Sequence, residues 1–418
     1  RRINLAEMNL KAGKKCLSAC GFASAASYFQ CALALLPANK WRVYSDMTLE
    51  LYSCTVEAEY CNGSMEVVQR LSKEALDRSN DHSILAKRRI YCTLLECINI
   101  QGRPLEAAEL CCSLLRQLGC NMPSWLVLPR VIPGYLKALK HVDHYTPDDV
   151  STFKRIEDET DLWILHLLDR LFDFAYQGNR SDLLATAVLK SFQLTQKLGL
   201  YADSPTVYAR MGMALTVNFG AYEAGMKYAK FAMRLAEESK EKSAISRVIG
   251  ILYAFQQHWR EDVDTEPLKL GYEVGMDSGH FSDGLWNKYF GFDLELFGPG
   301  KRLPELRDDI AEAATTAKEL NHGSQQHMME MQWQLVLNLI GSTNTTILTG
   351  DVMKEEEKAI IFRDAPTILL CVRRVCISAR FMFDDYAGVM ALRKVTSESE
   401  VIEACPGMFT LPVMCHQN

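Results

Sequence analysis

Apolar residues recur along most of this chain at helical spacing, and runs that alternate apolar with polar are absent. The region around Gly102 states the pattern in full. Tyr91, Leu94, Leu95 and Ile98 lie three or four residues apart, then comes the turn Gln101-Gly102-Arg103-Pro104. After it, Leu105, Ala107, Ala108, Cys111, Leu114 and Leu115 form a second apolar stripe. A glycine takes the left-handed conformation that ends a helix, and proline suits the first turn of the next, so the segment predicts a tight antiparallel helix hairpin.

The same grammar recurs with turns at Gly21, Gly63, Gly102, Gly178 and Gly220, separated by 42, 39, 76 and 42 residues. The 76-residue step is about two units of 38. Alanines at 25, 26 and 32 predict close helix approach, with Tyr28 and Phe29 filling between hairpins; Ala221, Tyr222, Ala224, Gly225, Tyr228 and Ala229 repeat the arrangement. One hairpin cannot bury both its faces, so neighbours must stack. The predicted fold is all-α, a tetratricopeptide-like α-solenoid of stacked antiparallel helix hairpins.

Four stretches follow: N-terminal repeats over 1–120, an irregular proline-rich connector over 121–150, a second block of repeats over 151–340, and a loop, terminal helix pair and irregular tail over 341–418. The terminal pair is expected over 366–392, with Phe381, Phe383 and Tyr386 in its core. The chain opens on Arg1 inside an apparent helix, which points to further sequence upstream.

Composition narrows the function. Apolar residues make up 48% and charged residues 23%, ordinary for a folded protein, and the net charge of −6 supplies no field to attract nucleic acid. The cluster Lys87-Arg88-Arg89 is too short to change that. No apolar run reaches the roughly 18 residues that span a bilayer, and no signal peptide opens the chain, so a cytoplasmic location is expected. The 14 cysteines lie mostly within apolar helical patterns, contain no Cys-x-x-Cys pair, and read as small core residues.

Candidate chemistry is sparse. Gly298-Pro299-Gly300-Lys301-Arg302 lacks both the upstream glycine and the Ser or Thr of a phosphate loop. His141 with His144, and His322 with His327 and Glu330, lack the order of a metal-hydrolase helix, although a hydrolytic role for the second set is a reading to weigh. No nucleophile elbow and no kinase signature occurs, so the chain by itself reads as non-enzymatic, with no catalytic residue, metal or cofactor. In a hairpin solenoid the first helices line the concave face, which nominates Glu57, Arg89, Glu96, Asn99, Arg210 and Asn218 as partner contacts. Trp259, Trp286, Tyr289 and Phe290, with Phe292 beside them, form either a ligand groove or ordinary packing between repeats.

The stretch Asn9-Leu10-Lys11-Ala12-Gly13-Lys14-Lys15, the alanine-rich helix ending Leu35-Leu36-Pro37, and then Trp41, Tyr44, Leu49-Glu50-Leu51-Tyr52, Glu57-Ala58-Glu59-Tyr60 and Gly63 resemble the tetratricopeptide-like region of large predicted signalling ATPases, an AAA-type ATPase and multi-sensor kinase family. His258-Trp259, Gly279, Trp286, Gly298 and Leu303 are similar to its second half. The resemblance implies a scaffold that binds protein partners or adjacent domains of the same polypeptide and relays state between an upstream nucleotide-binding module and a downstream output. None of that family's ATP-binding or catalytic residues falls in this chain. A freestanding peptide-binding adaptor, like a co-chaperone, is the alternative.

Overall fold

A computed structural model describes residues 1–122, 127–144, 154–239, 242–256, 264–298, 301–341, 345–363 and 365–394. Those residues are helical apart from turns, loops and two isolated β-bridges, Arg155 with Leu200 and Thr349 with Lys354. The chain divides into two compact units, Arg1–Gly119 and Cys120–Asn418.

The first unit contains α1 (Arg2–Ser18), α2 (Phe22–Leu35), the short α3 (Lys40–Val43), α4 (Ser45–Cys61), α5 (Met65–Arg78), α6 (Arg88–Ile100) and α7 (Pro104–Gln117). Helices α1 and α2, α4 and α5, and α6 and α7 pair as hairpins, and α4 packs on both α2 and α6. Phe29 shows why the small residues are needed. It is buried with Ala25, Ala26 and Ala32, and its ring occupies the space a side chain on Gly13 would fill. Tyr28, expected beside it, instead faces outward.

The second unit contains α8 (Val127–Lys140), a 3₁₀ turn (Val142–His144), α9 (Glu159–Gln177), α10 (Ser181–Leu198), α11 (Ser204–Phe219), α12 (Tyr222–Ser239), α13 (Lys242–Phe255), α14 (Glu266–Asp277), α15 (Phe281–Phe297), α16 (Leu303–Glu319), α17 (Gly323–Leu339), α18 (Glu355–Ile361), α19 (Pro366–Met382) and α20 (Tyr386–Lys394). The odd-numbered helices form a row: α11 packs on α13, α13 on α15, α15 on α17 and α17 on α19. Helix α19 also packs against α9, where the Thr367 hydroxyl donates to the Tyr176 carbonyl, and α9 is tied in turn to α11 by the Arg210–Asp169 ion pair, so the row closes through α9. Within the stretch expected to be irregular, α8 is a helix with Pro133 inside it, anchored on α10. The Tyr135 hydroxyl donates to the Ala185 carbonyl at 2.8 Å there. Of the aromatic residues expected in the core of the terminal pair, Tyr386 is exposed and Phe381 and Phe383 are half-buried; α19 buries Val372, Val375, Cys376 and Ala379 in a core shared with α15, α16 and α17.

Hairpin turns share one backbone device. Cys20, Gly63, Gly102, Asn179, Gly220, Gly279, Asn321 and Asp384 all have positive φ at the helix end. In seven of these turns the next residue's amide bonds the carbonyl five positions back, as Arg180 does to Ala175 at 2.8 Å and His322 to Ala317 at 2.8 Å. At the turns read from Gly21 and Gly178, the left-handed residue is in fact the neighbour, Cys20 or Asn179. Gly21 serves as the N-cap of α2 and Gly178 follows α9 with an ordinary φ.

Close approach is tightest between α11 and α12, where a Cβ on Gly212 would lie 2.6 Å from the Gly225 carbonyl oxygen. Backbone cannot yield there without separating the helices. Gly212→Ala should therefore lower stability by about 2 kcal/mol in chemical denaturation. Gly291→Ala, on α15 with its nearest atom 3.9 Å away, should leave stability unchanged or raise it by up to about 1 kcal/mol.

Candidate functional site

The polar residues that join the first helices of successive hairpins form the candidate site, because the partner contacts expected from the sequence fall on those helices. In the first unit, Glu50 and Glu57 lie on α4 and Arg89 on α6. Arg89 Nε donates to Glu57 at 2.7 Å and its Nη1 to Glu50 at 3.0 Å, while Lys14 of α1 meets Glu50 at 2.7 Å. Burial would raise the Glu50 carboxyl, but Lys14 and Arg89 hold it below its ordinary value. Three first helices are thus tied by one chain of charges. Of the partner contacts nominated from sequence, Glu57 and Arg89 are brought together here, and Glu96 and Asn99 sit half-buried on the same α6.

A denser network lies in the second unit, centred on Asp169 of α9. Arg170 reaches Asp169 at 2.7 Å and Asp173 at 3.2 Å. Arg210 of α11 reaches the same carboxylates at 2.6 and 3.0 Å, and its guanidinium lies 3.8 Å from the centre of the Phe172 ring. Arg247 of α13 meets Asp169 at 3.3 Å, Asp203 at 3.8 Å and Asp283 of α15 at 3.1 Å. Burial alone would push the Asp169 carboxyl up; Arg210, Arg247 and Arg170 outweigh it and hold the group well below the usual carboxylate range. Asp173 and Asp203 are shifted upward, first by burial and also by the Asp169 charge.

Arg210, nominated as a surface contact, is therefore buried and committed to two aspartates. Asn218 is exposed at the end of α11 and bonds back to the Ala214 carbonyl at 3.1 Å. Sequence reasoning did not single out Asp169, Arg170, Asp173, Arg247 or Asp283. Isolated charges in amphipathic helices carry no mark of their distant partners.

A third bridge joins α15, α17 and α19. Arg374 is fully buried and meets Asp293 at 2.8 Å, and Gln332 donates to the Tyr289 carbonyl at 3.3 Å. Tyr289, nominated for a ligand groove, is likewise fully buried, with Trp286 and Phe290 packed on it at ring distances of 5.6 and 5.4 Å. These rings fill a core between helices, and Phe292 is buried with them. Trp259 lies outside the described residues.

The histidine set weighed as a hydrolytic centre is a lock between α17 and α18. His327 Nδ1 lies 3.0 Å from Glu330, which also accepts a hydrogen bond from the buried Lys358 of α18; the lysine nitrogen lies 2.6 Å from the same ring nitrogen. Burial raises the Glu330 carboxyl, yet hydrogen bonds from His327, Lys358 and Gln326 bring it down to about 2. His322 stands at the N-cap position of α17 without a side-chain capping bond, and burial pushes its imidazole pKa down. Among the described residues, no group of three or more His, Cys, Asp or Glu side chains is arranged to hold a metal ion, and no helix is long and apolar enough to cross a membrane. Lys301 of the failed phosphate loop pairs with Asp309 at 2.6 Å.

No family model matches the chain. It is 20% identical over 389 residues to a hybrid signal transduction histidine kinase (histidine kinase G) of Dictyostelium discoideum, a similarity that takes in 85% of this chain and 11% of that protein. The chain thus spans about a tenth of the length of the curated relative it matches. The similarity is distant and supports a region related to signal transduction.

Two outcomes follow from the ion networks. Asp169→Asn leaves three guanidinium groups facing a neutral side chain, and should cost about 3 to 5 kcal/mol in denaturant unfolding of the second unit. The folded Glu330 carboxyl titrates below its ordinary value of 4.5, so its contribution is present above that pH and is lost as pH falls towards about 2. Glu330→Gln should therefore remove about 2 kcal/mol of stability at neutral pH and flatten the stability profile across that acid window.

Proposed function

We propose that this chain is a non-catalytic, tetratricopeptide-like scaffold within a multidomain signalling ATPase or kinase, and that it binds adjacent modules and relays their state. The observation that carries the reading is the way charge is used. Asp169 is shared by α9, α11 and α13, and Arg247 extends the chain to α15, so moving one first helix changes the ion pairing of the next. The distant similarity to a hybrid histidine kinase agrees with a signalling role. An AAA-type ATPase upstream and a kinase or cyclase output downstream, in the cytoplasm, complete the proposal.

A co-chaperone-like carboxylate clamp fits less well. It needs cations on the first helices that are open to a ligand, and Lys14 and Arg89 are engaged by Glu50 and Glu57.

The proposal is tested in two steps. The isolated chain should neither hydrolyse ATP nor become phosphorylated by it. In the full polypeptide that carries it, cross-linking mass spectrometry should join this region to flanking modules, and Arg247→Gln should change autophosphorylation or ATPase rate without changing the KM for ATP. ATP hydrolysis by the isolated chain, abolished by Glu330→Gln, would overturn the reading in favour of an enzyme.

A further inference from the structure

Helix α8 (Val127–Lys140) departs from the hairpin rule. Helices α9 and α10, α11 and α12, α13 and α14, and α16 and α17 each pair with their neighbour in the chain, so α10 already has its mate in α9. Among the described residues, α8 packs chiefly on α10 and on the 3₁₀ turn that follows it. Val131, Tyr135 and Ala138 point into the core shared with α10. The opposite side is open: Ile132 and Leu136 are 40% and 44% exposed, and Pro129 and Pro133 are exposed beside them. Spaced three and four residues apart, these four make one apolar stripe.

Charge on this side has a single sign. The helix contains Arg130, Lys137 and Lys140 and no Asp or Glu. Lys140 ends the stripe, one turn beyond Leu136, and Arg130 and Lys137 line one of its edges. Both lysines are exposed, and among the described residues neither is paired with a carboxylate. Asp143, in the 3₁₀ turn, is taken by Lys227 of α12. The other edge of the stripe, at Leu139, turns back into the protein.

From the missing mate and the uniform charge, we infer that the outer face of α8 is a docking site for an acidic amphipathic helix of a partner module. That helix lays its apolar stripe on Ile132 and Leu136 and its carboxylates beside Lys137 and Lys140. It restores to α8 the pairing that the neighbouring helices have. An anionic bilayer fits less well: there only the α8 side chains would be covered, whereas a partner helix buries its own stripe as well, and the packed edge at Leu139 keeps α8 from sinking into lipid. The inference rests on the scaffold reading and gives one of its partners a shape and a charge.

The test is fluorescence anisotropy of the whole chain at low ionic strength, with a labelled model peptide that has leucine at helical spacing and glutamate between. In the control peptide lysine replaces glutamate. The acidic peptide should bind about tenfold more tightly than the basic one, and Leu136→Gln should weaken it about fivefold. Lys137→Glu combined with Lys140→Glu should reverse the preference; both side chains are exposed, so this variant decides the matter even where Leu136→Gln fails to fold. Equal affinity for the two peptides, or a preference that survives the charge reversal, overturns the inference. So does capture of the chain by phosphatidylserine vesicles in place of the peptide, or a dimer in sedimentation that Leu136→Gln dissolves, since the face then belongs to a membrane or to a second copy. If the α8 site falls while cross-links to flanking modules persist, the scaffold reading stands; loss of the cross-links removes that reading itself.

Discussion

A hairpin of two amphipathic helices has two apolar flanks and covers only one of them internally, so everything in this molecule follows from covering the other. Neighbouring hairpins do so at short range. That is why alanine and glycine recur where backbones meet: Gly212 lies against Gly225, Gly275 against Gly284, and Gly13 beneath Phe29. It is also why the turns are so uniform. A residue with positive φ at the helix end satisfies the last carbonyls in little space and reverses the chain tightly enough for the next pair to stack.

Apolar packing leaves the first helices with one stripe facing inward, and there the chain uses charge. Burying a carboxylate such as Asp169 is tolerated because guanidinium groups from α9, α11 and α13 surround it. Arg374 with Asp293, and Lys358 with Glu330, repeat the device on α15 through α19. Ion pairs of this kind add little net stability over well-packed apolar groups. What they add is register, since a helix that slips leaves a charge buried without its partner.

The helices and most of the hairpins were legible in the sequence, because a 3.6-residue period and a left-handed turn residue are local signals. Gly63, Gly102 and Gly220 stand where a positive φ is required. Asn179 and Cys20 fill the same role less visibly, which displaced two of the turns by one residue. The network was not legible. Arg210 finds Asp169 across 41 positions and Arg247 across 78, and each in its own helix looks like a solvated charge. Tyr289 was visible as one of a group of aromatic residues, but a groove and a filled core share the same composition, and only packing distinguishes them.

The docking of α19 on α9 changes what kind of array the second unit is. A linear stack has two outermost members, each with one naked flank, and melts inwards from those places. Where α19 touches α9, itself tied to α11, neither end of the row is outermost in that sense. Loosening any single hairpin then means breaking the circle, so the unit is expected to resist fraying and to come apart as a whole.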